Sequence, residues 1–205
     1  NPSFYGLENT SDDGVVEFLL TLVDKAFSAL VDAKCAVVVE GDGVASTKLG
    51  EVVSRFYMSY RTGYLFHTRA STVVSLEDCI RLLSDACEFD EVPVRHNEEE
   101  LCRALAKFCP WKVDQLALDD PHVKTFLLLQ ARLQNIRLPI QDFVSDTTSV
   151  MQQMPRLTSA LITVLKERKV NLEKDILKKL EQMYSGNKRH RTKGGKTTKK
   201  KKKYG

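Results

Sequence analysis

From Gly50 to about residue 184, apolar residues recur at the three-to-four-residue spacing of an α-helix. One short β-branched run, CAVVVE at 35–40, departs from that period. Such a pattern predicts a mostly α chain with a single small piece of sheet. Ser11-Asp12-Asp13 caps a first helix at about 12–33, with Val15, Phe18, Leu19, Leu22, Val23, Ala26, Leu30 and Val31 as its apolar face. CAVVVE, a GDG turn and VASTK then form a β-hairpin over 35–48. A helix feeding a hairpin is the second half of a winged helix, whose first half would lie upstream of Asn1.

The helical part divides at its breakers. LGEVVSRFYMSYRTGYLFHTRA predicts one bent helix or two over 49–69, weakest at Gly63 and around Ser59–Tyr60. Its aromatic residues, Phe56, Tyr57, Tyr60, Tyr64 and Phe66, have the spacing of core and interdomain packing. Ser75 with Asp78 caps a helix at 76–88; further helices follow at 98–108 and 121–137, the latter ended by Leu138-Pro139. Asp146 caps a helix running to about 168 that Pro155 should kink or split, and LEKDILKKLEQMY gives a last amphipathic helix at about 172–184.

The stretch PVRHNEEEL, residues 93–101, reads first as a helix start. Asn97 is a good N-cap residue, Glu100 stands where a capping box needs it, and Glu98 and Glu99 put negative charge at the positive end of the helix dipole. A cap calls for neither Arg95 nor His96. Both are candidate tethers to the bundle, with Glu88 or Asp90 as nearby partners for the cation.

The net charge of +4 conceals two opposite parts. Residues 187–205 carry ten Lys or Arg and no acid; without them the body has 21 basic against 27 acidic residues, near −6. That tail is low in complexity and expected to be disordered. The five cysteines include no C-x-x-C, which predicts neither a disulfide framework nor a zinc site. No signal peptide is visible at the start, and no apolar run reaches the ~18–20 residues that span a bilayer. The chain shows no phosphate loop, no H-E-x-x-H and no G-x-S-x-G, and its four histidines lack ligand spacing. No catalytic residue, metal or cofactor is therefore expected, and an enzyme acting alone is disfavoured.

Four blocks occur in a telling order: NPSFYGL at 1–7, TKLGEVVSRFYMSYRT at 47–62, LLSDACEFDEVPVRHNE at 82–98 and DPHVKTFLLLQARLQNIRLP at 120–139. Together they resemble the winged-helix/Sec-63 homology region of large superfamily-two RNA helicases, the spliceosomal and signal-cointegrator helicases among them, over about residues 1–165. The resemblance implies that residues 1–49 are the C-terminal part of a winged helix and 50–186 an incomplete Sec-63-type helical bundle, before the Lys-rich tail at 187–205. It implies a continuous helix across Pro155, against the kink read from residue type. It also implies that the helix at 121–137 lies along a single strand leaving a motor encoded elsewhere.

The candidate nucleic-acid-binding residues on that helix are Lys124, Arg132 and Asn135, within about 80° of one another by helical geometry, with Gln134 and Arg137 to the other side. Arg95, His96 and Asn97 are the structural or interface candidates. The expected partners are helicase motor domains, single-stranded RNA or DNA and assembly factors, with no membrane, in the nucleus or cytoplasm. Three readings compete: a strand-guiding helicase module, a protein–protein scaffold without nucleic-acid contact, and a translocon-related Sec-63 protein.

Overall fold

The computed structural model describes residues 2–7, 9–41 and 43–185. The Lys-rich tail lies outside the described residues. Among the described residues, eight α-helices and one hairpin follow in order: α1 (Asp12–Asp32), β1 (Ala36–Val39), β2 (Gly43–Ser46), α2 (Lys48–Arg55), α3 (Tyr60–Arg69), α4 (Leu76–Ser84), α5 (Glu98–Ala106), α6 (Pro121–Gln134), α7 (Gln141–Glu167) and α8 (Lys174–Ser185). The fold is mostly helical with one small wing.

The wing is a two-stranded antiparallel ribbon pairing Ala36 with Ser46 and Val39 with Gly43. Gly41 takes the left-handed conformation the turn requires, at φ 85°. Thr47 then does two jobs. Its Oγ1 accepts the Gly50 N–H to cap α2 and donates to the Lys34 carbonyl at 2.7 Å. This draws α2 against the start of the wing so closely that a Cβ on Gly50 would lie 2.0 Å from the Cys35 carbonyl oxygen.

The segment at 49–69 is two helices. The break falls at Phe56–Ser59, where Tyr57 adopts φ 50° and its N–H and that of Met58 fold back onto the Ser54 and Val53 carbonyls. Arg156 of α7 donates to the exposed Phe56 and Tyr57 carbonyls. Glu88 starts α3 by accepting the Ser59 N–H at 2.8 Å and the Thr62 hydroxyl at 2.6 Å. Gly63, expected as a weak point, lies inside α3; its missing Cβ makes room for Val53 of α2. Of the aromatic stretch, Phe66 is fully buried and Phe56 half-buried, while Tyr57, Tyr60 and Tyr64 are exposed.

α7 is the spine, touching α2, α3, α4, α6 and α8. It runs unbroken through Pro155, as the resemblance implied. Pro155 is exposed, so the only direct loss is its N–H to the Met151 carbonyl, on a helix held along its length by tertiary packing. Asp146 does not cap this helix; it lies inside the second turn, and Ile140 holds the N-cap position. The larger core gathers Phe66, Ile80, Leu83 and Phe89 with Met154, Leu157 and Leu161 of α7 and Leu180 of α8. A smaller core joins Cys102 and Leu105 of α5 to Leu127, Leu128 and Ala131 of α6 and Phe143 of α7. α1 stands apart: Leu19, Leu22 and Val23 of its expected apolar face are exposed, because among the described residues little besides β1 packs on it.

Helix propensity alone favours Ala over Gly by about 1 kcal/mol, so Gly50→Ala would be stabilising if α2 were free. The clash with backbone reverses the sign. Gly50→Ala is expected to lose about 1–3 kcal/mol in urea unfolding. Gly63→Ala, which meets a movable valine methyl, should lose less.

Candidate nucleic-acid interface

α6 begins with strong local instructions. Asp120 is its N-cap, the carboxylate accepting the N–H groups of His122 at 2.6 Å and Val123 at 3.3 Å, and Pro121 opens the first turn. It ends at Asn135, whose φ of 53° reverses the chain. Between these ends Phe126 and Leu129 face the larger core, and Leu127, Leu128 and Ala131 the smaller. The helix is therefore enclosed on both sides, and every residue from Lys124 to Ala131 is buried.

This enclosure corrects the assignment of Lys124 to a strand-facing site. Its side chain has 0% exposure. The ammonium donates to Glu98 Oε2 at 2.5 Å, Asp146 Oδ2 at 2.8 Å and the Pro93 carbonyl at 2.5 Å, and lies 4.8 Å from the centre of the Phe143 ring. Three donors meet three acceptors, which satisfies an ammonium completely. Arg95 closes the cluster from the surface, forking onto Asp146 at 2.8 and 3.1 Å and onto Glu98 at 2.9 Å, with Asp142 at 3.5 Å. Burial pushes the Glu98 and Asp146 carboxyls up. Hydrogen bonds and charge from Lys124 and Arg95 outweigh burial, and both carboxyls titrate below their ordinary values.

The tether predicted for Arg95 is present, with different partners. Glu88 serves α3 instead, and Asp90 pairs with Arg61 and His122. His96 is exposed and has no hydrogen bond or ion pair among the described residues, so it ties nothing down. Asn97 does not cap α5 through its side chain. It sits at φ 65°, and the turn is closed by Glu98, whose N–H bonds the Arg95 carbonyl and whose carboxylate accepts the Arg95 N–H at 3.1 Å. The capping box expected of Asn97 and Glu100 is absent, and this turn between Arg95 and Glu98 stands in its place.

The other candidates stand at the opposite end of α6, where the bundle opens. A groove of about 600 Å³ lies between the last turn of α6 and the first half of α7, lined by Arg132, Asn135, Leu138, Thr148, Met151 and Gln152 among others. Arg132 and Asn135 come together there as the shared helix face predicted. Gln134 and Arg137 are exposed nearby in sequence, but are not among the groove's lining residues. Arg132 is half-buried, and its side chain has no hydrogen bond or ion pair among the described residues. Arg61, Arg69, Arg81, Arg95, Arg103 and Arg156, by contrast, are each engaged with a carboxylate. Thr147, Thr148 and Gln152 of α7 escaped the sequence reading, since a polar residue on a long helix gives no sign of which neighbour it faces. The acid pair Asp142–Asp146, one helical turn apart, was a legible signal for a buried cation.

The depressed carboxyls set a pH dependence. Their folded-state values lie below the unfolded ones, so their contribution is complete above about pH 5 and is lost as pH falls through the folded values. Urea midpoints should be level from about pH 5 to 7 as far as these groups are concerned, and fall towards pH 3. Asp146→Asn should be less stable at neutral pH and lose less on acidification. Lys124→Met, which leaves two buried carboxylates sharing Arg95 alone, should cost about 3–5 kcal/mol at pH 7.

Among the described residues, no helix is long and apolar enough to cross a membrane. Known proteins share the sequence over much of its length. The chain is 41% identical over 164 residues to the DExH-box ATP-dependent RNA helicase DExH14 of Arabidopsis thaliana. It is 35% identical over 165 residues to activating signal cointegrator 1 complex subunit 3 of Homo sapiens, and 34% over 165 residues to the human U5 small nuclear ribonucleoprotein 200 kDa helicase. Each alignment covers 80% of this chain and 8% of the relative, so the chain spans under a tenth of the curated relatives it matches. The Sec63 Brl domain profile matches residues 46–187, from the end of the wing through α8. By that match the chain belongs to the Sec63 Brl domain family, in the form that large RNA helicases carry.

Proposed function

We propose that this chain is a non-catalytic segment of an ATP-dependent RNA helicase that guides single-stranded nucleic acid along the α6–α7 groove. The motor lies elsewhere in the polypeptide, in the nucleus or cytoplasm. The observation that carries the reading is Arg132: a half-buried guanidinium at an open groove, without a carboxylate partner, where six of the ten described arginines meet one. A guanidinium so placed can stack on a base or pair with a phosphate, and Asn135 and Gln152 add hydrogen-bonding amides. With the body near −6, such contacts give weak, sequence-tolerant binding. We also propose a division at about residue 49, between a winged-helix remnant and the bundle.

A second reading, docking of motor or assembly proteins, is favoured by α1. Val16, Leu20, Val23 and Phe27 follow one another at helical spacing and are 43–59% exposed. The two readings concern different faces and are compatible.

Fluorescence anisotropy with a labelled single-stranded RNA tests the groove. Arg132→Ala should weaken binding by about 1–3 kcal/mol, the range of a stacking contact. If Arg132 meets a phosphate instead, the salt slope should drop by about 0.7. Binding that is unchanged in Arg132→Ala, and that vanishes in a chain ending at residue 186, would assign all affinity to the tail and refute the groove.

A further inference from the structure

We propose that Lys124, Glu98 and Asp146 form a register lock, and that Lys124 is the positioning residue for the groove. This deepens the strand-guiding reading and, for its functional consequence, rests on it.

The two helices that the lock joins are the two walls of the groove. On α6, Ala131 and Asn135 follow Lys124 by seven and eleven residues and lie on nearly the same stripe of the helix. On α7, Asp146 directly precedes Thr147 and Thr148, which line the groove. The aliphatic contacts between these helices do not define one register by themselves. Leu127, Leu128 and Ala131 against Phe143 attract without direction, and sliding one helix along the other exchanges one apolar contact for another.

The ammonium is different. Its three N–H groups meet oxygens from three separate segments: the Pro93 carbonyl ahead of α5, the Glu98 carboxylate on α5 and the Asp146 carboxylate on α7. A slip of one residue moves Nζ by about 1.5 Å along the axis, which breaks at least one bond while leaving a charge at 0% exposure. Arg95 locks the same two carboxylates from outside. Replacing a buried ion cluster by neutral groups of similar volume often leaves stability little changed, whereas fixing register is its best-attested use. The cluster's contribution is therefore one geometry among several of similar energy, and the groove's width follows from that geometry.

The test uses the full chain with spin labels on non-canonical residues at Gln134 and Ser149, both exposed, and reads the distance distribution between the ends of the two helices. The parent should give one narrow distance. Lys124→Met/Glu98→Gln/Asp146→Asn keeps volumes and removes the charges. It should keep its helicity and give a broad or split distribution. If the competent register falls to about one tenth of the population, the Kd for single-stranded RNA rises about tenfold. A narrow, unshifted distribution in a folded triple variant overturns the lock. Should that variant fail to fold, Asp146→Leu removes the acceptor on α7 while Pro93 and Glu98 still bond Lys124; broadening then supports the lock, and an unchanged distance overturns it. A parent that shows the narrow distance but binds no RNA refutes the strand-guiding reading and leaves the lock standing.

Discussion

A lysine ammonium sealed from water is the constraint around which the bundle is arranged. Such a charge is tolerable only where every N–H finds an acceptor and opposite charge stands beside it. Lys124 obtains both from groups distant in sequence, Pro93 and Glu98 on one side and Asp146 on the other. Meeting that demand fixes α5 and α7 on α6. It also explains why PVRHNEEEL contains an arginine: Arg95 shares the two carboxylates and carries positive charge to the surface.

The groove is a consequence of where that closure ends. Lys124 and the residues after it are covered by α5, α4 and α7, but α6 stops at Asn135 while α7 begins at Gln141 and runs back along it. The residues between, Ile136 to Ile140, form no helix, and the space beside them stays open. One helix thus contributes a sealed half that sets its position and an open half that presents Arg132 and Asn135. On the proposed strand-guiding reading, the unpaired Arg132 guanidinium and the neighbouring amides would touch a polymer weakly at each step, without a deep positive channel to hold it still.

What the sequence revealed follows the range of the physics involved. The Ser75–Asp78 capping box was legible because all its atoms lie within four residues, and both of its hydrogen bonds are present. The hairpin and α8 were legible from period and turn residues. Asn97 misled because a distant carboxylate network claimed Glu98 and forced the turn into the left-handed region, a tertiary effect that overrides local cap preference. Asp146 misled for the same reason: a good cap residue was needed as a buried partner one helical turn further in. Helical geometry grouped Lys124, Arg132 and Asn135, and the pattern held no indication that the first would be sealed while the other two line the groove, since α6 is covered unequally along its length.

The cluster also shows why its two cations are not interchangeable. Lys124 is a compact charge with three donors directed at three separate acceptors, and it fits a closed site that a planar fork would not fill. Arg95 stands at the rim with a side chain 40% exposed, where its fork spans two carboxylates at once and its remaining donors reach solvent. The burial gradient from Lys124 outward to Arg95 and Asp142 lets the innermost carboxylates stay ionised, because each is met by a cation from inside and another from outside. The geometry of the groove walls therefore rests on carboxylates that stay charged through the neutral range, and α6 and α7 keep their relation so long as Glu98 and Asp146 do.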